Sequence, residues 1–122
     1  MTRDEKLDRL CRIAALMADQ ALAPIAAARS DIEEGEKIVN NIMSHRQRLS
    51  QDAADPSYAA RSTEQIARLH RLQGTRLMNL AAARATLEIA KGAAKPAVAR
   101  QHALEALRDR EIAKRRKSKR SS

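Results

Sequence analysis

The stretch LDRLCRIAALMADQALAPIAAARSDIEEGEKIVNNIMSHRQRL, residues 7–49, decides the fold. Its apolar residues recur at alternating three- and four-residue steps: Leu7, Leu10, Ala14, Met17, Ala21, Ile25, Ala28, Ile32, Gly35, Val39, Ile42, Arg46 and Leu49. Such spacing lines one face of a helix and is the seam pattern of a coiled coil, with a four-four stutter expected near Pro24. Beyond the turn signal Asp55-Pro56-Ser57-Tyr58 a second seam follows: Ile66, Leu69, Gln73, Leu77, Leu80, Ala83, Leu87, Ala90, Ala94, Val98, Gln101 and Leu104. Two long amphipathic helices joined by a short connector pack antiparallel by default. The expected fold is therefore all-α, a long two-helix antiparallel coiled-coil hairpin.

Composition points the same way. The chain has 122 residues, 43% of them hydrophobic, with no Phe, no Trp and one Tyr. Without aromatic bulk there is little from which to build a globular core. Alanine supplies much of the apolar share; it favours helix but buries little area, so modest stability and frayed ends are expected. One domain is expected: a first helix at about 3–51, a hinge at about 52–56, a second helix at about 57–117 and a basic tail to 122.

Local signals sharpen the boundaries. Thr2 can cap the first helix, with Asp4 and Glu5 complementing the dipole. Pro24 and Pro96 lie inside the helical patterns and predict bends. Gly35 falls on the seam, where a missing side chain lets a partner helix come close. Two restarts compete for the second helix: Pro56 in a first turn capped by Asp55, and Ser62-x-x-Gln65 as a capping box. Folding about residues 54–55 sets Leu10 opposite Val98, Met17 opposite Ala93, Ile32 opposite Leu77 and Ile42 opposite Ile66. Residues beyond Arg108 would then have nothing opposite them.

The formal net charge is +9, which favours acidic partners. From Arg108 onward eight cations face two acids, a net +6, so the basic character belongs to one end. The run Lys114-Arg115-Arg116-Lys117-Ser118-Lys119-Arg120 admits three readings: a disordered solubilising end, an electrostatic arm for an acidic protein surface, or a nucleic-acid contact. A nucleic-acid arm would neutralise phosphates, although no aromatic residues are present to stack on bases. Membrane insertion is not expected: no run approaches the ~20 apolar residues of a span, and the tail adjoins no strongly apolar anchor.

No catalytic set emerges. His45, His70 and His102 stand far apart beside polar neighbours, with no metal-ligand spacing, and the glycines stand singly rather than in a phosphate loop. Glu33, Glu34 and Glu36 read as a solvated face, Tyr58 as a packing anchor or contact at the tip, and Met17, Met43 and Met78 as core. The lone Cys11 excludes an internal disulfide and reads as a small buried hydrophobe, in keeping with a reducing cytoplasm. The start Met-Thr-Arg-Asp-Glu-Lys does not read as a signal peptide. The expectation is a soluble cytoplasmic protein with no enzymatic activity, no cofactor, no metal and no small-molecule substrate.

Two segments carry a family likeness: Leu104-Glu105-Ala106-Leu107-Arg108-Asp109-Arg110-Glu111, and Ile66-Ala67-Arg68-Leu69-His70-Arg71-Leu72-Gln73. With the hairpin of unequal arms, they resemble the FliJ/YscO family, the stalk proteins of flagellar and virulence type III export. That resemblance implies a shaft whose end carrying both termini enters the pore of a hexameric export ATPase, while another part of the hairpin reaches an export gate protein. It implies ATPase contacts at Leu7, Leu10, Leu104, Leu107, Arg108 and Arg110, and gate contacts at Ile66, Leu69 and His70. Two other expectations stand beside it: a nucleic-acid-associated coiled coil using its basic tail, and a generic coiled-coil adaptor.

Overall fold

The computed structural model describes residues 2–52 and 55–121. It contains two helices, α1 (Arg3–Asp52) and α2 (Ala59–Ser121), and no strand among the described residues. They pack against each other as an all-α helical hairpin. The chain divides into two units, an end unit of residues 1–26 and 88–122 and a tip unit of residues 27–87, each built from a piece of both helices.

α1 starts where the side chains around Thr2 can satisfy orphan backbone groups. Glu5 N–H donates to Thr2 Oγ1 (3.3 Å) and Thr2 N–H donates to Glu5 Oε2 (3.2 Å), a reciprocal capping box. Asp4 and Glu5 also place negative charge in the first turn, against the helix dipole. The helix continues through Pro24, and α2 continues through Pro96. Both prolines are exposed and off the buried stripe, so each lost hydrogen bond faces water.

The burial pattern corrects the expected seam. Buried or half-buried positions in α1 are Leu7, Cys11, Ala14, Ala18, Ala21, Ile25, Ala28, Ile32, Gly35, Val39, Ile42, Arg46 and Leu49. The steps alternate four and three without a break, so the stutter expected near Pro24 is absent. Leu10 is 50% exposed and Met17 44% exposed, while Ala18 is fully buried. Choosing the largest apolar residue at each step misleads here. An unbroken seven-residue repeat phases Cys11 and Ala18 inward and turns their bulkier neighbours outward. Met43 and Met78 are likewise exposed, not core.

In α2 the same repeat runs through Ala59, Ser62, Ile66, Leu69, Gln73, Leu80, Ala83, Leu87, Ala90, Ala94, Ala97, Gln101, Leu104, Arg108 and Glu111, all buried or half-buried. Leu77, expected on the seam, is 44% exposed, and Arg76, which the repeat would place inward in that turn, is exposed as well, so this layer of α2 has no buried residue.

The pairing of the arms also differs from the expected fold-back about residues 54–55. In the tip unit Arg46 Nη1 donates to Gln73 Oε1, and Arg84 Nη2 lies 3.3 Å from Glu36 Oε1. A Cβ built on Gly35 would stand 3.2 Å from Leu80 Cδ1, so this glycine does admit a close neighbour. Gly35 thus lies at the level of Leu80, and Ile42, expected opposite Ile66, lies next to the turn carrying Gln73. In the end unit Arg3 lies 3.7 Å from Glu111, and Asp4 pairs with Arg115. Residues beyond Arg108 therefore do have partners across the hairpin, and the expected pairs Leu10–Val98, Met17–Ala93 and Ile32–Leu77 do not hold. α2 also starts at Ala59, later than expected, with Pro56-Ser57-Tyr58 in the connector.

The hinge expected at about 52–56 falls partly on residues 53 and 54, outside the described residues. Past them, Asp55 Oδ1 accepts from Ser57 N–H (3.1 Å) and from Ser57 Oγ–H (2.8 Å), and Asp55 C=O accepts from Tyr58 N–H (3.1 Å). An Asx turn of this kind suits the residue before proline, which is excluded from the α region. Those hydrogen bonds hold the exposed Asp55 carboxyl below its ordinary pKa, the Ser57 hydroxyl first and its backbone N–H second. Ser62, the alternative cap, lies inside α2 and is buried.

Candidate interaction surfaces

Each unit sorts the site residues suggested by the sequence into those that pack and those that face solvent. In the end unit Leu7 is buried on the seam, and Leu104 and Arg108 are half-buried seam positions one turn apart on α2. Leu10, Leu107 and Arg110 are exposed. With the seam residues as positions a and d of the repeat, Leu10 and Leu107 both occupy g, and Arg110 occupies c. In an antiparallel pair the g flanks of the two helices adjoin, as do the e flanks. Glu36 and Arg84, which pair in the tip unit, are both e positions. The three exposed residues therefore share one flank of the end unit.

In the tip unit Ile66 and Leu69 are half-buried seam residues and His70 is exposed beside them. Ile66 and Leu69 shape the packing, which leaves His70 as the one of the three that faces solvent. The seam of this unit carries a polar layer. Arg46 occupies an a position, donates to Gln73, and keeps its buried Nε without a hydrogen-bond partner. A single polar layer of this kind costs stability and disfavours shifted registers, in which the guanidinium would lose its acceptor.

No group of three or more His, Cys, Asp or Glu among the described residues could hold a metal ion. His45, His70 and His102 are all exposed. Cys11 is buried in the seam as a free thiol.

The sequence reading missed how much apolar surface the end unit displays. Ile13, Leu16, Met17 and Ile89 are exposed in addition to Leu10 and Leu107. It also took no run to be long and apolar enough for a membrane. A window of α1 with mean hydropathy 1.4 does reach that length and composition, with 22% of the window buried. Between Leu10 and Ala26 only Arg12 and Asp19 are charged. The signal was legible as the density of Leu, Ile and Met outside the strict seven-residue phase.

No family model, no curated protein and no solved structure matches this chain.

Proposed function

We propose that the chain is a non-enzymatic coiled-coil stalk or chaperone of a flagellar-type type III export apparatus. In this reading the end unit engages a hexameric export ATPase and the tip unit communicates with an export gate protein. The observation that carries it is the exposed group Leu10, Leu107 and Arg110 on one flank of the end unit, of which Leu107 and Arg110 lie within the segment 104–111 that resembles the FliJ/YscO stalks. Leu7, Leu104 and Arg108 hold that flank in place from the seam. A narrow basic hairpin would be drawn electrostatically to a pore lined by acidic groups. His70, with Ile66 and Leu69 behind it, is the corresponding gate contact.

The purified protein is expected to bind the hexameric export ATPase and raise its ATP turnover. Charge reversal at Arg108 and Arg110 is expected to abolish that stimulation. Because Arg108 is half-buried, Arg110→Glu combined with Leu107→Ala reads the contact alone, with circular dichroism melts establishing that the hairpin is intact. Stimulation by the intact double variant equal to that of the wild type overturns the assignment.

A second reading is favoured by one observation. The basic residues from Lys114 to Arg120 lie on a helix that runs to Ser121, not on an irregular tail. A helical array of cations is suited to nucleic-acid phosphates. Deleting residues 114–122 and following DNA or RNA retention over a salt series separates the two: a steep salt slope lost with the deletion favours nucleic acid, and no retention at low salt removes that reading.

A further inference from the structure

The end unit segregates its charges around the helix pair. Every Asp and Glu between residues 2 and 26 and between 88 and 121 occupies an a, b, d or e position of the repeat: Asp4, Glu5, Asp8 and Asp19 on α1, and Glu88, Glu105, Asp109 and Glu111 on α2. None occupies g, c or f. Those three positions carry cations without acids, among them Lys6, Arg9, Arg100 and Arg110, interleaved with aliphatics, whereas the cations at a, b and e, such as Lys91 and Arg115, share their positions with the acids. Ile13 is 47% exposed, Leu16 65% and Ile89 74%, beside the exposed Leu10, Met17 and Leu107. Since the g flanks of antiparallel helices adjoin, the c and g positions of α1 and α2 form one face that is apolar and basic, with no acid at those positions and with Glu111 reaching it from the seam to pair with Arg3 and Lys114.

That combination restricts the occupant. A second copy of the same face would set cation against cation, and Glu111, the acid that reaches it, is already paired with Arg3 and Lys114, so self-association is disfavoured. Nucleic acid would take the cations but leave the aliphatics in water, and no aromatic residue is present to stack on bases. We propose that this face of the end unit binds the surface of an anionic lipid bilayer. The aliphatics Ile13, Met17 and Ile89 would enter the acyl boundary, while Lys6, Arg9 and Arg100 reach the headgroups along their flexible stems. The mean hydropathy of 1.4 in the α1 window is the same feature seen along one helix. The helix lies on the membrane and does not span it, because its opposite face is committed to the seam at Cys11, Ala14 and Ala18.

Flotation of the full-length protein with vesicles tests this. The probe is phosphatidylcholine containing about 30% phosphatidylglycerol, against phosphatidylcholine alone, at low salt and at about 0.5 M salt. Binding is expected to the anionic vesicles at low salt and to weaken with salt. Ile13→Gln with Met17→Gln is expected to lower partitioning at least about tenfold, and Lys6→Ala or Arg100→Ala about fivefold each. Leu22→Gln is the control: Leu22 is 42% exposed on the same helix but sits on the e flank, and its replacement is expected to change partitioning less than about twofold. Melts by circular dichroism verify that each variant is folded.

Absence of flotation with anionic vesicles at low salt overturns the proposal, whether the face then proves by sedimentation to join two copies or to hold an acidic protein helix. Equal binding to neutral vesicles, or an equal loss in Leu22→Gln, overturns it as well. The vesicle assay contains no ATPase and the turnover assay no lipid. The proposal therefore stands or falls separately from the stalk reading.

Discussion

The end unit and the tip unit use the same seven-residue repeat with different shares of bulk in the seam. In the end unit the seam is largely small: Cys11, Ala14, Ala18, Ala90 and Ala94 are buried, while Leu10, Ile13, Leu16, Met17 and Ile89 face solvent. In the tip unit the branched residues Val39, Ile42 and Leu80 are buried, and the seam is interrupted by the Arg46–Gln73 hydrogen bond. Apolar burial contributes roughly 25 cal/mol per Å². The buried layers of branched residues in the tip unit thus contribute more each than the alanine layers of the end unit, several of whose larger aliphatics face solvent. Helix pairs with alanine seams can still associate, because small side chains let the backbones approach. The difference is one of degree, since Leu7 and Ile25 are buried in the end unit and Met43, Leu77 and Met78 are exposed in the tip unit; it teaches that bulk alone does not tell core from surface in this chain.

The sharpest way to break the comparison is to remove one seam side chain from each unit. Ile42→Ala is expected to lower the unfolding free energy by about 2–4 kcal/mol, through lost transfer energy and an incompletely collapsed cavity. Cys11→Ala, which deletes a single sulfur from an already small layer, is expected to cost about 1 kcal/mol or less. Urea titrations of both variants measure the contrast, and equal losses would mean that the two seams contribute alike.

Glycine substitutions give a smaller effect of opposite sign. A Cβ at Gly74 or Gly92 would meet no neighbouring atom within 4 Å. Gly74→Ala and Gly92→Ala are each expected to stabilise by about 0.8–1 kcal/mol, the helix-propensity difference. At Gly35 the same change gains less, because its Cβ would come to 3.2 Å from Leu80 Cδ1 and that side chain must shift. Thermal melts of the three variants rank the sites, and a Gly35→Ala gain as large as the others would show that the close approach at this layer is not limiting.

The smallest effect belongs to the connector. The Asp55 carboxyl has a lowered pKa because Ser57 donates two hydrogen bonds to its ionised form. Its contribution is present above the unfolded-state pKa and is lost as the pH falls through the depressed folded-state value. Ser57→Ala is expected to return the Asp55 pKa toward its ordinary value and to flatten the acid limb of stability, read by NMR titration of the carboxyl. An unmoved titration would show that the Ser57 hydroxyl does not hold the carboxylate.

Much of the architecture is legible in the primary structure because helix periodicity is a local property. The two arms, the Thr2 cap, the turn at Asp55-Pro56, the inward Cys11 and the close approach at Gly35 all follow from residue type and spacing. The phase of the seam was less so. At Leu10 and Met17 the eye follows bulk, whereas packing follows the strict repeat, and only the burial of Ala18 distinguishes them. The pairing of the arms was not legible, because it is set by contacts between the two helices far apart in sequence, such as Arg46 with Gln73 and Gly35 with Leu80.

The candidate surfaces divide along the same line. Arg110 and His70 are exposed polar residues, and Leu10 and Leu107 are exposed despite being apolar, an outcome set by their g positions and not by their chemistry. What the amino-acid order determined alone was helix, amphipathicity and a basic end, since each is encoded within a few turns. What tertiary structure decided was which residues of each turn are inside, which level of α1 meets which level of α2, and hence which aliphatics and cations of the end unit share a flank. Those are relations between segments distant in sequence, and the packing of two helices is what creates them.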